Sequence, residues 1–162
     1  MATWAEALPL LGMHPLVTGM GARVPSLSGY DAVLSAGFAG ACDPALRPGD
    51  LVTGRLETLD HIAKPDEKAA LRLGGAQAVD MESRWLAQAA AEAGILFMSV
   101  RIVIDRAEDR AFSSATAAGY PRAAVALRRA VSAALRKPVP VLPPRETLGE
   151  GARPAQDEAT GA

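Results

Sequence analysis

Apolar residues along the chain fall into short runs separated by glycine, proline and charge, and their spacing alternates between strand and helix. Residues 14–20 (HPLVTGM) read as a short buried strand running into a Gly-Met-Gly turn. Residues 31–36 (DAVLSA) read as a second buried strand, broken by Gly37 and Gly40. The Pro48-Gly49-Asp50 turn leads into an extended piece over 51–59. Residues 64–73 predict a helix: Pro65 suits the first turn, Asp66 and Glu67 complement the positive end of its dipole, and Gly74 stops it. A short strand at 76–79 precedes a helix over 82–93 that ends at Gly94. Residues 95–104 (ILFMSVRIVI) form the strongest strand, apolar on both faces as in a central parallel strand. Over 120–137, Ala124, Leu127, Val131 and Leu135 share one face of an amphipathic helix, with arginines on the other.

Strands alternating with helices predict a single α/β domain with a mostly parallel central sheet flanked by helices. The strands at 16–20, 32–36 and 96–104 are expected in one sheet, with the helix 120–137 packed on it. The domain is expected to span 1–137. From Pro138 onward Pro, Gly, Glu and Ala dominate and apolar periodicity stops, so 138–162 reads as a disordered tail. The spacer at 22–30 is short for a parallel crossover, which takes about a dozen residues or more.

Composition narrows the classes. A length of 162 residues suits one domain, and the 49% apolar content supplies one core. Aromatics are only 4% and alanine abounds, so that core should be closely packed from small residues. The net charge of −1 provides no electrostatic drive toward nucleic acid or an acidic membrane. No apolar run approaches the roughly 20 residues of a membrane span, and no charged-then-apolar signal opens the chain. Cys42 is the only cysteine, which excludes an intrachain disulfide and fits a reduced, cytoplasmic setting.

Several places carry candidate chemistry. Gly37-Phe38-Ala39-Gly40 follows a predicted strand; small residues there admit a ligand to the backbone, or simply make a strand-to-loop turn. Val79-Asp80-Met81-Glu82-Ser83 sets two carboxylates around a thioether at a helix start, which suits either a diol site or a charged helix N-terminus. Asp105 ends the strongest strand: in a cleft its carboxyl would act as a general acid, and otherwise it caps loop amides. Glu6 is either a site residue or a solvated helix residue, and Arg23 either meets an anion or lies on the surface. His14 and His61 lack ligand spacing, so no metal is predicted, and Cys42 reads as a structural thiol.

As strings, VLSAGFAGACDPALRPGDLV (33–52), AVDMES (78–83) and VRIVID (100–105) resemble the nucleoside phosphorylase/nucleosidase superfamily, which cleaves N-glycosidic bonds. The chain is similar to a shortened methylthioadenosine/adenosylhomocysteine nucleosidase over roughly residues 18–108, with Glu6 as an extension. The resemblance implies roles. Glu82 would hold the ribose hydroxyls, Met81 would pack on the sugar, and Asp105 would protonate or hydrogen-bond the purine N7. Glu6, in Ala5-Glu6-Ala7 with Leu10-Leu11 behind it, would activate water. Gly37, Phe38 and Ala39 would form the substrate loop, and Gly21, in Thr18-Gly19-Met20-Gly21, would border the phosphate or water site. Phe38 stands where many members carry Ser or Thr, Ser35 where phosphorylases place an arginine, and Ile104 where a serine usually precedes the aspartate. The first two departures weaken phosphorolysis more than hydrolysis. The segment between Leu51 and Ala76 is short, and it lacks the aromatic partner for the base that members carry there.

The implied activity is hydrolysis of a purine nucleoside through an oxocarbenium-like sugar, without metal or organic cofactor, by at least a homodimer. Adenine-bearing thionucleosides, futalosine-like nucleosides and adenosyl-lipids are substrate candidates. A phosphorylase on the same scaffold is the first alternative. A trimmed, non-catalytic relative that binds nucleoside or serves as an assembly subunit is the second.

Overall fold

A computed structural model of the chain describes residues 4–13, 15–21 and 23–136. A one-turn helix, α1 (Trp4–Ala7), runs into a 3-10 turn at Leu8–Leu10. Residues 15–21 and 23–31 form neither helix nor strand. Then follow β1 (Ala32–Ala41), β2 (Leu56–Thr58), α2 (Pro65–Leu73), β3 (Ala78–Asp80), α3 (Ser83–Ala93), β4 (Leu96–Asp105) and α4 (Ser114–Leu135).

The four strands make one sheet in the order β2-β3-β1-β4. β1 and β4 are parallel and aligned from Ala32↔Leu96 to Ala39↔Val103, after which a register shift pairs Gly40 with Asp105. β2 and β3 are also parallel. The two pairs meet head to tail, because β3 runs antiparallel to β1 with Gly40↔Val79 and Ala41↔Ala78. The sheet is therefore mixed.

β4 is apolar on both faces although it is not central. One face packs on α4, where Val100 and Ile102 join Leu10, Ala36, Ala123, Leu127 and Val131 in the main core. Its outer edge is covered by the chain that leaves β1: Val52 N–H donates to Arg101 O and Gly49 N–H to Val103 O, at 2.9 and 2.8 Å. Unpaired edge groups are thereby satisfied. A second, smaller cluster of Cys42, Ala63, Ala76 and Val79 packs with Leu71 of α2. The second cluster is built from small residues, whereas the main core is mostly Leu, Ile and Val with two alanines.

Several expectations are corrected. Residues 16–20 are not a strand: Gly19 and Gly21 turn the backbone at φ 83° and 86°, and Leu16 and Met20 are exposed. With no strand there, the short 22–30 spacer has no crossover to make. β1 continues through Gly37 and Gly40 to Ala41 instead of breaking at them. α4 begins earlier than residue 120, because Ser113 caps it by accepting from Thr116 N–H at 3.2 Å. Gly119 lies inside α4, where a methyl group would come within 2.8 Å of Pro48, so close packing favours glycine there. Lys137 and the expected tail at 138–162 lie outside the described residues. Among the described residues no helix is long and apolar enough to cross a membrane.

Candidate active site

A cavity of about 430 Å³ opens where β1 and β4 end, between α1 and the start of α4. Phe38, Ala39 and Gly40 of β1 line it, as do Val79 to Glu82 at the end of β3, Ile104 and Asp105 of β4, and Glu6. Thus Glu6, Phe38, Ala39, Met81, Glu82 and Asp105 share one cavity. Gly37 and Gly21 do not line it but lie against its carboxylates. Gly21 N–H donates to Glu82 Oε1 at 3.3 Å. Gly37 leaves room for Glu6, since a methyl there would sit 2.5 Å from Glu6 Oε1.

The convergence arises differently from a simple meeting of strand ends. β1 and β4 do end at one sheet edge, as parallel strands must. β3 runs the other way, so the chain passing Asp80 travels back along β1, and Glu82 arrives from the opposite direction. Glu6 enters from α1 and accepts the Phe38 N–H at 2.8 Å. α1 is anchored by Tyr120 of α4, whose hydroxyl donates to Ala5 O at 2.7 Å. The Tyr120 ring meets Phe38 edge-on with centroids 5.9 Å apart.

Three buried carboxylates, Glu6, Asp80 and Glu82, surround buried Arg101 at 6%, 5%, 7% and 3% exposure. Arg101 is committed elsewhere: Nε pairs with Asp80 Oδ2 at 2.7 Å and Nη2 donates to Ser35 Oγ at 2.8 Å. Asp80 also accepts from the Thr58 hydroxyl at 2.7 Å and the Ser83 N–H at 3.1 Å. Burial pushes the Glu82 carboxyl above its usual range; Arg101 opposes the rise, and the charges of Glu6 and Asp80 add to it.

At the other end of the cavity, Asp105 Oδ1 pairs with Lys68 Nζ of α2 at 2.7 Å, both side chains being buried. Burial raises the Asp105 carboxyl above its ordinary value, Lys68 pulls it back, and Asp109 adds to the rise. Among the described residues, no Lys, Arg or His side chain lines the cavity. Nor do any three or more His, Cys, Asp or Glu side chains form a metal-binding group among them. Cys42 is buried beside this pair, and burial pushes its thiol up to about 11, so the thiol stays protonated near neutral pH.

Two groups escape a reading of the sequence. Lys68 sits in a helix where lysines ordinarily face solvent, so no pattern marks it. Arg101 was legible in principle, as a lone cation inside the most apolar strand. The aromatic surface missing between Leu51 and Ala76 is supplied from elsewhere, by Phe38, Tyr120 and Phe112. Phe112 is held at the rim by a left-handed backbone, φ 58°.

A family model described as the phosphorylase superfamily matches residues 53–136. The chain belongs to the phosphorylase superfamily. Solved members of related fold confirm the architecture. The native futalosine hydrolase of Helicobacter pylori superposes with a TM-score of 0.69 at 16% identity, covering 83% of this chain and 94% of that one. The 5′-methylthioadenosine/S-adenosylhomocysteine nucleosidase of Helicobacter pylori gives 0.68 at 14% identity over 83% and 94%. The corresponding nucleosidase of Chlamydia trachomatis, bound to its ligand MTA, gives 0.67 at 19% identity over the same shares, 83% and 94%. No curated protein matches the sequence. At these identities the phosphorylase-superfamily fold is what the solved structures share with this chain.

Proposed function

We propose that this phosphorylase-superfamily chain is a nucleosidase that hydrolyses the N-glycosidic bond of a purine nucleoside. The observation that carries the reading is a cavity with carboxylates at both ends and, among the described residues, no cation on its wall. Both buried cations nearby are already paired, Arg101 with Asp80 and Lys68 with Asp105. Such a wall attracts a sugar that gains positive charge and repels inorganic phosphate. Water is therefore the favoured nucleophile, and phosphorolysis is the lesser reading. That several solved relatives are nucleosidases, one of them holding butyl-thio-DADMe-Immucillin-A, supports the assignment.

In this mechanism the Asp105 carboxyl, which burial raises above its ordinary value, donates a proton to N7 of the base. The C1′–N9 bond breaks and its electron pair leaves with the base. Glu82 accepts hydrogen bonds from the 2′- and 3′-hydroxyls and stabilises the positive sugar, against which Met81 packs. Water held by Glu6 adds to C1′ and gives up its proton to that carboxylate.

The test is release of free base from a panel of purine nucleosides, with and without phosphate. Base release independent of phosphate is expected. Asp105→Asn should lower kcat by about 10²–10⁴-fold, the usual contribution of a positioned acid. Phosphate-dependent release would make the chain a phosphorylase, and full activity of Asp105→Asn would remove Asp105 as the acid. Saturable nucleoside binding without any release would leave a non-catalytic binding protein.

A further inference from the structure

Lys68 does not line the cavity, yet it is one of the most deeply buried side chains in the protein, at 1% exposure. Its ammonium uses all three protons. One goes to Asp105 Oδ1 at 2.7 Å, one to Arg106 O at 3.0 Å and one to Asp109 O at 3.1 Å. β1 is shaped to admit the pair: a methyl on Gly40 would lie 2.9 Å from Asp105 Oδ1 and 3.0 Å from Lys68 Cε. The register shift that pairs Gly40 with Asp105 brings that glycine opposite the ion pair.

We propose that Lys68 is the positioning residue of the general acid. It fixes one oxygen of Asp105 and stabilises the carboxylate that remains when the proton passes to the leaving base. The inference rests on the nucleosidase reading. The ammonium keeps its own protons: the proton lost by Asp105 goes to N7, and Lys68 offsets the charge left behind. Ile104 occupies the position before Asp105 and offers no hydroxyl to orient it, so the anchor comes from α2 instead of from the strand. The other groups facing Asp105 do not substitute for Lys68. Asp109 carries the same sign of charge, and the Cys42 thiol, pushed up to about 11, stays neutral.

The experiment compares Lys68→Met and Lys68→Gln with wild type and Asp105→Asn in the base-release assay, over a pH series, with thermal unfolding in parallel. Gln keeps two N–H donors on a side chain one bond shorter, and removes the charge and the third donor. An acid must be protonated to act, so its ionisation sets the alkaline limb of kcat, and losing the ammonium weakens the acid. We expect kcat on the plateau to fall by about tenfold or more, KM to change by less than about threefold, and the alkaline limb to move up by about one pH unit or more. If Asp105→Asn is inactive but the limb of Lys68→Gln stays at the wild-type position, the inference is overturned while the function stands. If wild type releases no base, the function falls and this role with it. If neither Lys68 variant folds, Lys68 is a structural staple and the inference is likewise overturned.

Discussion

Gly37 looks like a strand breaker and proves to be the point where buried charges meet. Its missing side chain is the space that Glu6 occupies, with Arg101 Nη1 3.8 Å from where a methyl would lie. Gly37→Ala should push Glu6 off the Phe38 N–H and cost activity far more than stability, because the carboxylate that holds the water moves while the strand remains. Comparison of kcat with urea unfolding checks this, and equal loss in both would refute it. Glu82 gives a prediction of opposite sign for stability. Its carboxyl is raised in the folded protein above the value of 4.5 that an unfolded chain has. Its favourable contribution is therefore complete below pH 4.5 and is lost as pH rises through the folded value. Glu82→Gln removes that penalty. The variant should unfold at a higher temperature than wild type near pH 7.5, by about 2–4 °C for each kcal/mol gained. The advantage should shrink to nothing toward pH 4.5 even as base release collapses. A pH-independent difference in melting temperature would show that burial of this charge is not the cause.

β3 is three residues long, and side chains do much of the work of holding it. Asp80 reaches Arg101 of β4 across the central strand β1, which has only Gly37 opposite Arg101 and therefore no side chain in the way. Arg101→Met should destabilise the fold by about 3–5 kcal/mol, since Asp80 would remain buried and unpaired. Adding Asp80→Asn should restore part of the loss in chemical denaturation. A single variant within about 1 kcal/mol of wild type would mean that Asp80 finds other partners. The same geometry explains which elements could be read in advance. α2, α3 and β4 carry local signals, a proline and acids at one end, glycine at the other, or a long apolar run, and they lie within a residue or two of expectation. The direction of β3 carries none, because three residues read identically either way round. The false strand at 16–20 shows the limit from the other side: an apolar run becomes a strand only with a partner to pair with. Most of the residues that line the cavity were legible as motifs at strand ends. Lys68 was not, because its burial depends on where α2 lands against β1 and β4.

Over the whole molecule, large apolar side chains are exposed at several places, Leu73, Val125 and Leu135 among them, and three fall close together in the N-terminal stretch. Leu8, Leu11 and Leu16 are 60%, 61% and 60% exposed, all within the segment that carries Glu6 toward the cavity. Met20 and Phe112, also exposed, stand on the cavity wall itself. Large apolar side chains gathered in this way on a protein surface mark a contact. A second copy of the chain is the partner proposed here, so that association would cover the N-terminal segment and complete the shelter of the cavity from water. A stable interface of this kind buries about 1,200–2,000 Å² in total. Sedimentation at micromolar concentration should then give at least twice the mass of the chain. Leu8→Glu combined with Leu11→Glu should return it to the mass of one chain, because charge placed in an apolar contact disfavours burial strongly. The association and the activity are coupled in this view. The segment that would be covered also holds Glu6 against β1, so the dissociated variant should lose base release even though Glu82, Met81 and Asp105 are untouched. A wild type that sediments as one chain removes the coupling, as does a dissociated variant that retains full activity.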